Sequence, residues 1–399
     1  MNKTSRVRLP DGSLTHTVID ASGLPIGPVE EYLAFLRTDG SSPHTVQAYA
    51  RGLAAWWDLL ADLGHDWDDF PTAAFGEFLV YLRTGDLPSV SRVGPTPGWL
   101  APATVTLRSA AVLAFYTWHA AAHGLHQPMS RLYTPWGRTR TSRYTPMLAG
   151  VAGPAPGGDR RPIYRTRPGP KRRTPVLTPA QVHTIITACA PTMDTPTGRL
   201  VAARDRLLFT LLPETGLRLG EALSLRHHDM HAGTGDTPRL SVVPRQDHPH
   251  GCRVKNSKAR EIYVSDDLEA AYSRYVWELV DAGIDLDVDD LATHFVFVNV
   301  ARAPLWAPMA PGTVYDKVAA ITKASGGQLP DRWSPHWLRH THATALLLSG
   351  VAPHVVMRRL GHADYQTTLA VYGWVTEDAE LRALSEWATF AAGWKGITP

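Results

Sequence analysis

The sequence predicts a mainly α-helical protein with a small antiparallel β-sheet, arranged as an all-α first domain and an α+β second domain. Three observations lead there. Apolar residues recur at helical spacing through most of the chain. Only short stretches read as strands, chiefly Arg239-Leu240-Ser241-Val242-Val243 and Arg260-Glu261-Ile262-Tyr263-Val264. Between the two halves the composition turns to Pro, Gly, Arg and Thr, and Gly153-Pro154-Ala155-Pro156-Gly157-Gly158 holds neither helix nor strand. A chain of 399 residues accommodates two such domains.

Residues 1–25 read as an irregular leader, with turn signals at Pro10-Asp11-Gly12 and Gly23-Leu24-Pro25. Residues 26–126 read as a compact helical domain. Pro28 opens a helix that stops near Gly40. Ser42-Pro43-His44-Thr45 opens the next, whose Val46, Tyr49, Leu53, Trp56, Trp57 and Leu60 share a face. Further helices are expected over 72–83 and 103–123. Residues 127–176 read as a basic interdomain linker, extended or irregular. The second domain, 177–399, opens at Thr178-Pro179-Ala180, an N-cap followed by proline. Helices are expected over 179–190, 199–212, 219–225 and 266–282. A hairpin turning near Asn256-Ser257 joins residues 252–255 to the strand at 260–264, and residues 295–298 form a further short strand. Helices continue to the end.

Cys189 and Cys252 are the only cysteines and stand far apart, which excludes a disulfide scaffold and a cysteine-based zinc site. No apolar signal segment follows Met1, and no run approaches a membrane span, so a soluble cytoplasmic protein is expected. The net charge of +3 conceals an asymmetry: residues 126–175 hold eleven Lys/Arg against one acidic residue, a net of +10 that leaves −7 elsewhere. Such a concentration suits a polyanion, most simply nucleic acid, or a solvated basic linker. Arg138, Arg140, Arg143, Lys171, Arg172 and Arg173 are the candidate phosphate contacts here, with Lys258 further on.

Four segments carry candidate chemistry. In Ser334-Pro335-His336-Trp337-Leu338-Arg339-His340-Thr341-His342, Ser334 is a good N-cap and Pro335 suits the first helical position. The helix places His336, Arg339 and His340 on one face, able to hold an anionic oxygen and move a proton beside it. In Glu214-Thr215-Gly216-Leu217-Arg218-Leu219-Gly220-Glu221, Arg218 follows a glycine turn within an apolar run. It pairs with an acid such as Glu221 or Glu214, or it meets an anion from outside. Lys255-Asn256-Ser257-Lys258-Ala259-Arg260 puts a lysine at a hairpin tip, where it is either ordinary surface or a phosphate contact. Leu360-Gly361-His362 ends a helix, and Tyr372 follows ten residues after the histidine.

In this order the segments resemble the tyrosine recombinase (phage integrase) family, over about residues 178–376. Ser42, Thr45, Val46 and Tyr49 add the SxxTVxxY pattern of that family's helical core-binding domain. The resemblance implies a SAM-like core-binding domain and a catalytic domain that close as a C-shaped clamp on DNA. It implies that Tyr372 is the nucleophile and leaves a 3′-phosphotyrosyl link. Arg218 and Arg339 would hold the non-bridging oxygens, and Lys255 would protonate the leaving 5′-oxygen. His336 would assist proton movement, and His362 would bond the phosphate. The choice of Lys255 over Lys258 follows the KxxKxR pattern. No metal and no other cofactor is expected, because two guanidinium forks and a lysine supply the positive charge.

The expected function is site-specific recombination by the integrase or transposase of a mobile element. It would proceed through a Holliday junction in a homo-tetramer on double-stranded DNA carrying specific sites, with possible accessory proteins, in a bacterial nucleoid. Residues 377–394 read as an amphipathic helix, packed on its own domain or docked on a neighbouring protomer. Three alternatives are a type IB topoisomerase-like relaxing activity, a DNA-binding protein with an inactive pocket, and a zinc hydrolase using His336, His340 and His342. The last lacks an HExxH motif or a nearby acid.

Overall fold

The computed structural model describes residues 1–10, 14–89, 100–135, 160–164, 166, 175–191, 193–233, 235–245, 247–254 and 259–361. The chain forms two compact units, Met1–Lys171 and Arg172–Pro399. The described residues are mostly helical, with small antiparallel sheets. None of their helices is long and apolar enough to cross a membrane.

In the first unit, β1 (Lys3–Arg8) and β2 (Leu14–Ile19) pair antiparallel. Helices α1 (Gly27–Thr38), α2 (Pro43–Leu63), α3 (Thr72–Thr84), α4 (Pro102–His123) and α5 (His126–Leu132) follow. Ser42 caps α2 through its hydroxyl, which accepts from the Thr45 N–H at 2.9 Å, and the helix stops at Gly64 in the left-handed region. Trp56, fully buried, forms the centre of the core. Phe70, Phe75, Phe78 and Tyr116 surround it edge-on, at centroid distances from 5.1 to 6.4 Å. Its one polar atom is satisfied: Trp56 Nε1–H donates to Tyr116 Oη at 2.9 Å, and that hydroxyl donates to the Trp67 carbonyl at 2.6 Å.

Two expectations change here. The leader is a hairpin rather than irregular chain, because Thr15, Thr17 and Val18 bury against the helices. The strands are too rich in Thr, Ser, Arg and His to alternate visibly, so docking on α2 organises them. The linker is structured at its start and again at 160–162: α5 buries Met129 and Leu132, and β3 (Tyr133–Pro135) pairs antiparallel with β4 (Arg160–Pro162). Arg131 pins α5 by donating to Asp69 Oδ1 at 2.6 Å and to the Phe70 carbonyl at 2.5 Å.

The second unit is built around α7 (Pro196–Thr215), preceded by α6 (Pro179–Thr187) with its Thr178/Gln181 capping box. The short α8 (Leu219–Leu223) leads through a 3₁₀ turn into a three-stranded antiparallel sheet of β5 (Met230–His231), β6 (Arg239–Val242) and β7 (Arg260–Tyr263). Then come α9 (Asp266–Asp281), α10 (Ile284–Asp287), α11 (Pro311–Ala324), α12 (Pro335–Leu348) and α13 (Pro353–Leu360). Leu207, Leu208, Leu211 and Leu212 of α7 pack with Leu268, Tyr275 and Leu279 of α9 in one core.

The expected hairpin partner of 260–264 is corrected. β7 pairs with β6 in the register Arg239↔Tyr263 to Val242↔Arg260, while residues 252–254 carry no strand. Residues 295–298 are likewise not a strand. Their main chain bonds loops on both sides, Val296 N–H to the Leu225 carbonyl and Met309 N–H to the Phe297 carbonyl, both at 2.9 Å. Near-complete burial of Val296, Phe297 and Val298 produced the strand-like apolar run.

Candidate active site

The site grows from the N-terminus of α12. Ser334 occupies the N-cap with extended backbone and Pro335 the first turn, but the serine hydroxyl makes no cap bond. The helix then divides its polar residues. His336 stays exposed and meets His340 edge-on, at 4.3 Å between centroids. Arg339 turns inward and is 2% exposed. The expected single face of His336, Arg339 and His340 is therefore split, because Arg339 finds its partners inside.

Those partners are main-chain carbonyls at two helix ends. Arg339 donates to the Gly216 carbonyl at 2.6 Å and to the Leu360 carbonyl at 2.7 Å. Both carbonyls lie at helix C-termini, where unpaired oxygens and the helix dipole favour a cation. Gly216 ends α7 and Gly361 ends α13, both with φ of +66°. A Cβ on Gly216 would stand 2.5 Å from the His342 ring, and one on Gly361 would stand 2.7 Å from Arg260. The TGLR and LGH motifs thus need glycine for backbone hand and for close approach.

Glu221 is the counter-charge. Its fully buried carboxylate accepts from Arg218 at 2.8 Å and Arg260 at 2.8 Å, and the Arg339 guanidinium lies 3.9 Å away. It also accepts from the Arg218 main-chain N–H at 3.0 Å, closing the turn into α8. Burial would raise the Glu221 pKa, but the Arg260 hydrogen bond and charge, with help from Arg218, bring it below the usual value. Of the open choices for Arg218, the acid is Glu221. The Arg218 side chain still keeps 23% of its surface exposed, held by Glu221 at one nitrogen.

A second layer fixes the first. Arg260 Nε–H donates to the Arg359 carbonyl at 2.9 Å. Arg359 donates to His342 Nε2 at 3.1 Å and to the Glu214 and Tyr263 carbonyls at 3.1 and 3.0 Å. His342 Nδ1–H donates to the Pro213 carbonyl at 2.9 Å, so both its nitrogens are occupied and its tautomer is set. That arrangement removes His342 from any zinc-hydrolase triad with His336 and His340. Arg260 and Arg359 were not singled out from sequence. The only signal was their basic character beside two motifs, since their partners lie far along the chain.

His336 has its pKa lowered, first by partial desolvation of its ring and then by the charges of Arg339 and Arg218. Arg218 and Arg339 are gathered at Glu221, and His336 lies near enough to both to feel their charges. Lys255, His362 and Tyr372 lie outside the described residues, as do Lys258, Arg138, Arg140, Arg143, Lys171, Arg172, Arg173 and the helix expected over 377–394.

Burial pushes His342 down to about 4, seconded by Arg359 and opposed by the Pro213 hydrogen bond. Burial also pushes His227 and His248 down to about 4, aided by His294 and His250 respectively. A folded pKa below the unfolded value of 6.5 means that the unfolded chain binds more protons between the two. Stability of the second unit is thus complete above pH 6.5 and declines as pH falls toward 4. Urea unfolding across that window should show a slope of about 1.4 kcal/mol per pH unit for each histidine involved. The His342→Gln variant should show a shallower slope.

With this geometry in place, comparison with known proteins is direct. The phage integrase family model matches residues 175–378, and the phage integrase N-terminal SAM-like domain model matches residues 29–123. The chain belongs to the phage integrase family. Transposase A from transposon Tn554 of Staphylococcus aureus is 27% identical over 357 residues, covering 90% of each protein. Tyrosine recombinase XerC of Mycobacterium bovis is 29% identical over 359 residues, 90% of this chain and 95% of the relative. Among solved structures, the fold is shared with XerH site-specific recombinase bound to palindromic difH substrate. That match has a TM-score of 0.56 at 18% identity, over 90% of this chain and 84% of the other. It is also shared with the Tn1549 transposon integrase in complex with transposon right end DNA, with a TM-score of 0.57 at 17% identity, over 89% and 98%. The Arg218, Glu221, Arg339 and His336 cluster thus sits in the part of a tyrosine recombinase that the integrase family model covers.

Proposed function

We propose that this chain is a site-specific DNA recombinase of a mobile element that cuts and rejoins double-stranded DNA through a 3′-phosphotyrosyl intermediate. The observation that carries the reading is the gathering of Arg218 and Arg339 at the buried Glu221, with His336 within reach of their charges. Tyr372 Oη attacks the phosphorus, and the bond to the 5′-oxygen breaks. One phosphodiester is exchanged for another, so religation needs no external energy source. Arg218, still partly exposed, takes the non-bridging oxygens as negative charge builds. Arg339 supports it from the buried side, and contact with phosphate requires its pocket to open on DNA. His336, kept neutral near pH 7 by its lowered pKa, carries a proton at the nucleophile. Lys255 protonates the leaving 5′-oxygen, and His362 bonds the phosphate.

The wider reading is strand exchange through a Holliday junction by a tetramer, with residues 377–394 docked on a neighbouring protomer and the basic segment at 126–175 along the phosphates. Accessory proteins and a nucleoid location belong to the same proposal. The test uses a suicide DNA substrate carrying the element's end. Wild-type protein should leave a covalent adduct, and Tyr372→Phe should leave none while retaining binding in a gel-shift assay. An adduct surviving in that variant would remove Tyr372 from the reaction. Nicking without any protein link would remove the tyrosyl mechanism.

A further inference from the structure

A separate cluster lies in the first unit, where α4 faces α1. His119 and His123 are four residues apart on α4, on one side of the helix, and Glu31 comes from α1. One nitrogen from each imidazole and one Glu31 carboxylate oxygen all lie within 4.8 Å of one another. Among the described residues this is the only group of three or more His, Cys, Asp or Glu spaced for a metal ion. His123 Nε2 is already 3.0 Å from Glu31 Oε1.

His119 supplies the second observation. It is 2% exposed, and its Nε2–H donates to the Pro28 carbonyl at 3.1 Å. Its Nδ1 has no hydrogen-bond partner. With Nε2–H donating, Nδ1 carries a lone pair that accepts nothing. A backbone carbonyl that takes one imidazole N–H and leaves the other nitrogen bare is the outer-shell arrangement of a metal-ligating histidine. Trp67, Phe115 and Trp118 pack around His119, at centroid distances of 5.2, 4.3 and 4.7 Å, and fix the ring.

We propose that Glu31, His119 and His123 form a binding site for a first-row divalent cation such as Zn²⁺, which braces α1 against α4. Two imidazoles and a carboxylate suit zinc, and water completes a four-coordinate shell at the exposed side. Ligand bonds of about 2.0–2.1 Å put ligand atoms about 3.4 Å apart, so from separations of up to 4.8 Å the cluster must close by up to about 1.4 Å. The exposed side chains of Glu31 and His123 can make that movement. The site belongs to the first unit, whereas the Glu221 cluster belongs to the second.

The test is zinc chloride titrated by calorimetry into the full chain after dialysis against EDTA, with thermal unfolding read in parallel. Wild-type protein should bind one zinc at micromolar concentration and melt at a higher temperature with it. His123→Ala and Glu31→Gln both alter exposed side chains and should each weaken binding by about 100-fold or more and abolish the thermal shift. His119→Ala is less informative because its ring is packed among aromatics. No zinc bound by wild type, or equal binding by both variants, would overturn the proposal. Its failure would leave the recombination assay unaffected.

Discussion

Glu221→Gln is expected to destabilise the second unit by about 3–5 kcal/mol, because removing one partner of a buried ion cluster leaves the others uncompensated. The carboxylate holds Arg218 and Arg260, with Arg339 at 3.9 Å. The Arg260 and Arg339 side chains are only 7% and 2% exposed, so water cannot replace the lost charge. The amide keeps the shape and one acceptor, which isolates charge from packing. Urea unfolding at 25 °C measures the loss. Glu261→Gln is the control: its pair with Arg239 is 3.8 Å long and 57% exposed at the acid, and should be worth under about 0.5 kcal/mol. If both substitutions cost the same, Glu221 is not the electrostatic centre. DNA cleavage by Glu221→Gln should also fall by about 10²-fold, since Arg218 would lose its fixed position. Unchanged cleavage in folded variant would detach Glu221 from the chemistry.

Gly216→Ala is expected to cost about 2–5 kcal/mol. The left-handed backbone accounts for about 1–2 kcal/mol, and overpacking accounts for about 1–3 kcal/mol. The new methyl would meet the His342 ring at 2.5 Å and Leu360 at 2.9 Å, side chains held by Pro213, Arg359 and the α13 core. Neither can retreat without disturbing the carbonyls that hold Arg339. Gly64→Ala gives the comparison within the same chain: Gly64 ends α2 with φ of +69° and has nothing within 4 Å of an added Cβ. It should show only the backbone cost. A Gly216 variant no less stable than the Gly64 variant would mean that the site relaxes freely, and that the close packing of α7, α12 and α13 does not fix Arg339.

These predictions depend on contacts whose legibility in the sequence differed for physical reasons. The pairing of Arg218 with Glu221 was readable as an option because the residues are three apart at a helix start, where geometry is local. The glycines at 216 and 361 were readable as turns, since left-handed helix ends select glycine. The Arg260 and Arg359 contacts were not readable. Arg260 reaches Glu221 across 39 residues and Arg359 reaches Glu214 across 145, and local patterning does not report such separations. The same holds for the β1–β2 hairpin, whose polar strands owe their form to α2. It holds also for Glu31, which only helix packing brings to His119 and His123.

The sequence by itself determined the helical periods, the glycine stops and the ordered residue types that mark the family, because each depends on neighbours within a turn or two. The tertiary structure decided which side of α12 is buried, that Arg339 turns inward to two helix-end carbonyls, and that one carboxylate serves three arginines. Those outcomes follow from desolvation: a guanidinium taken from water must find acceptors, and only the packed helices determine which are within reach.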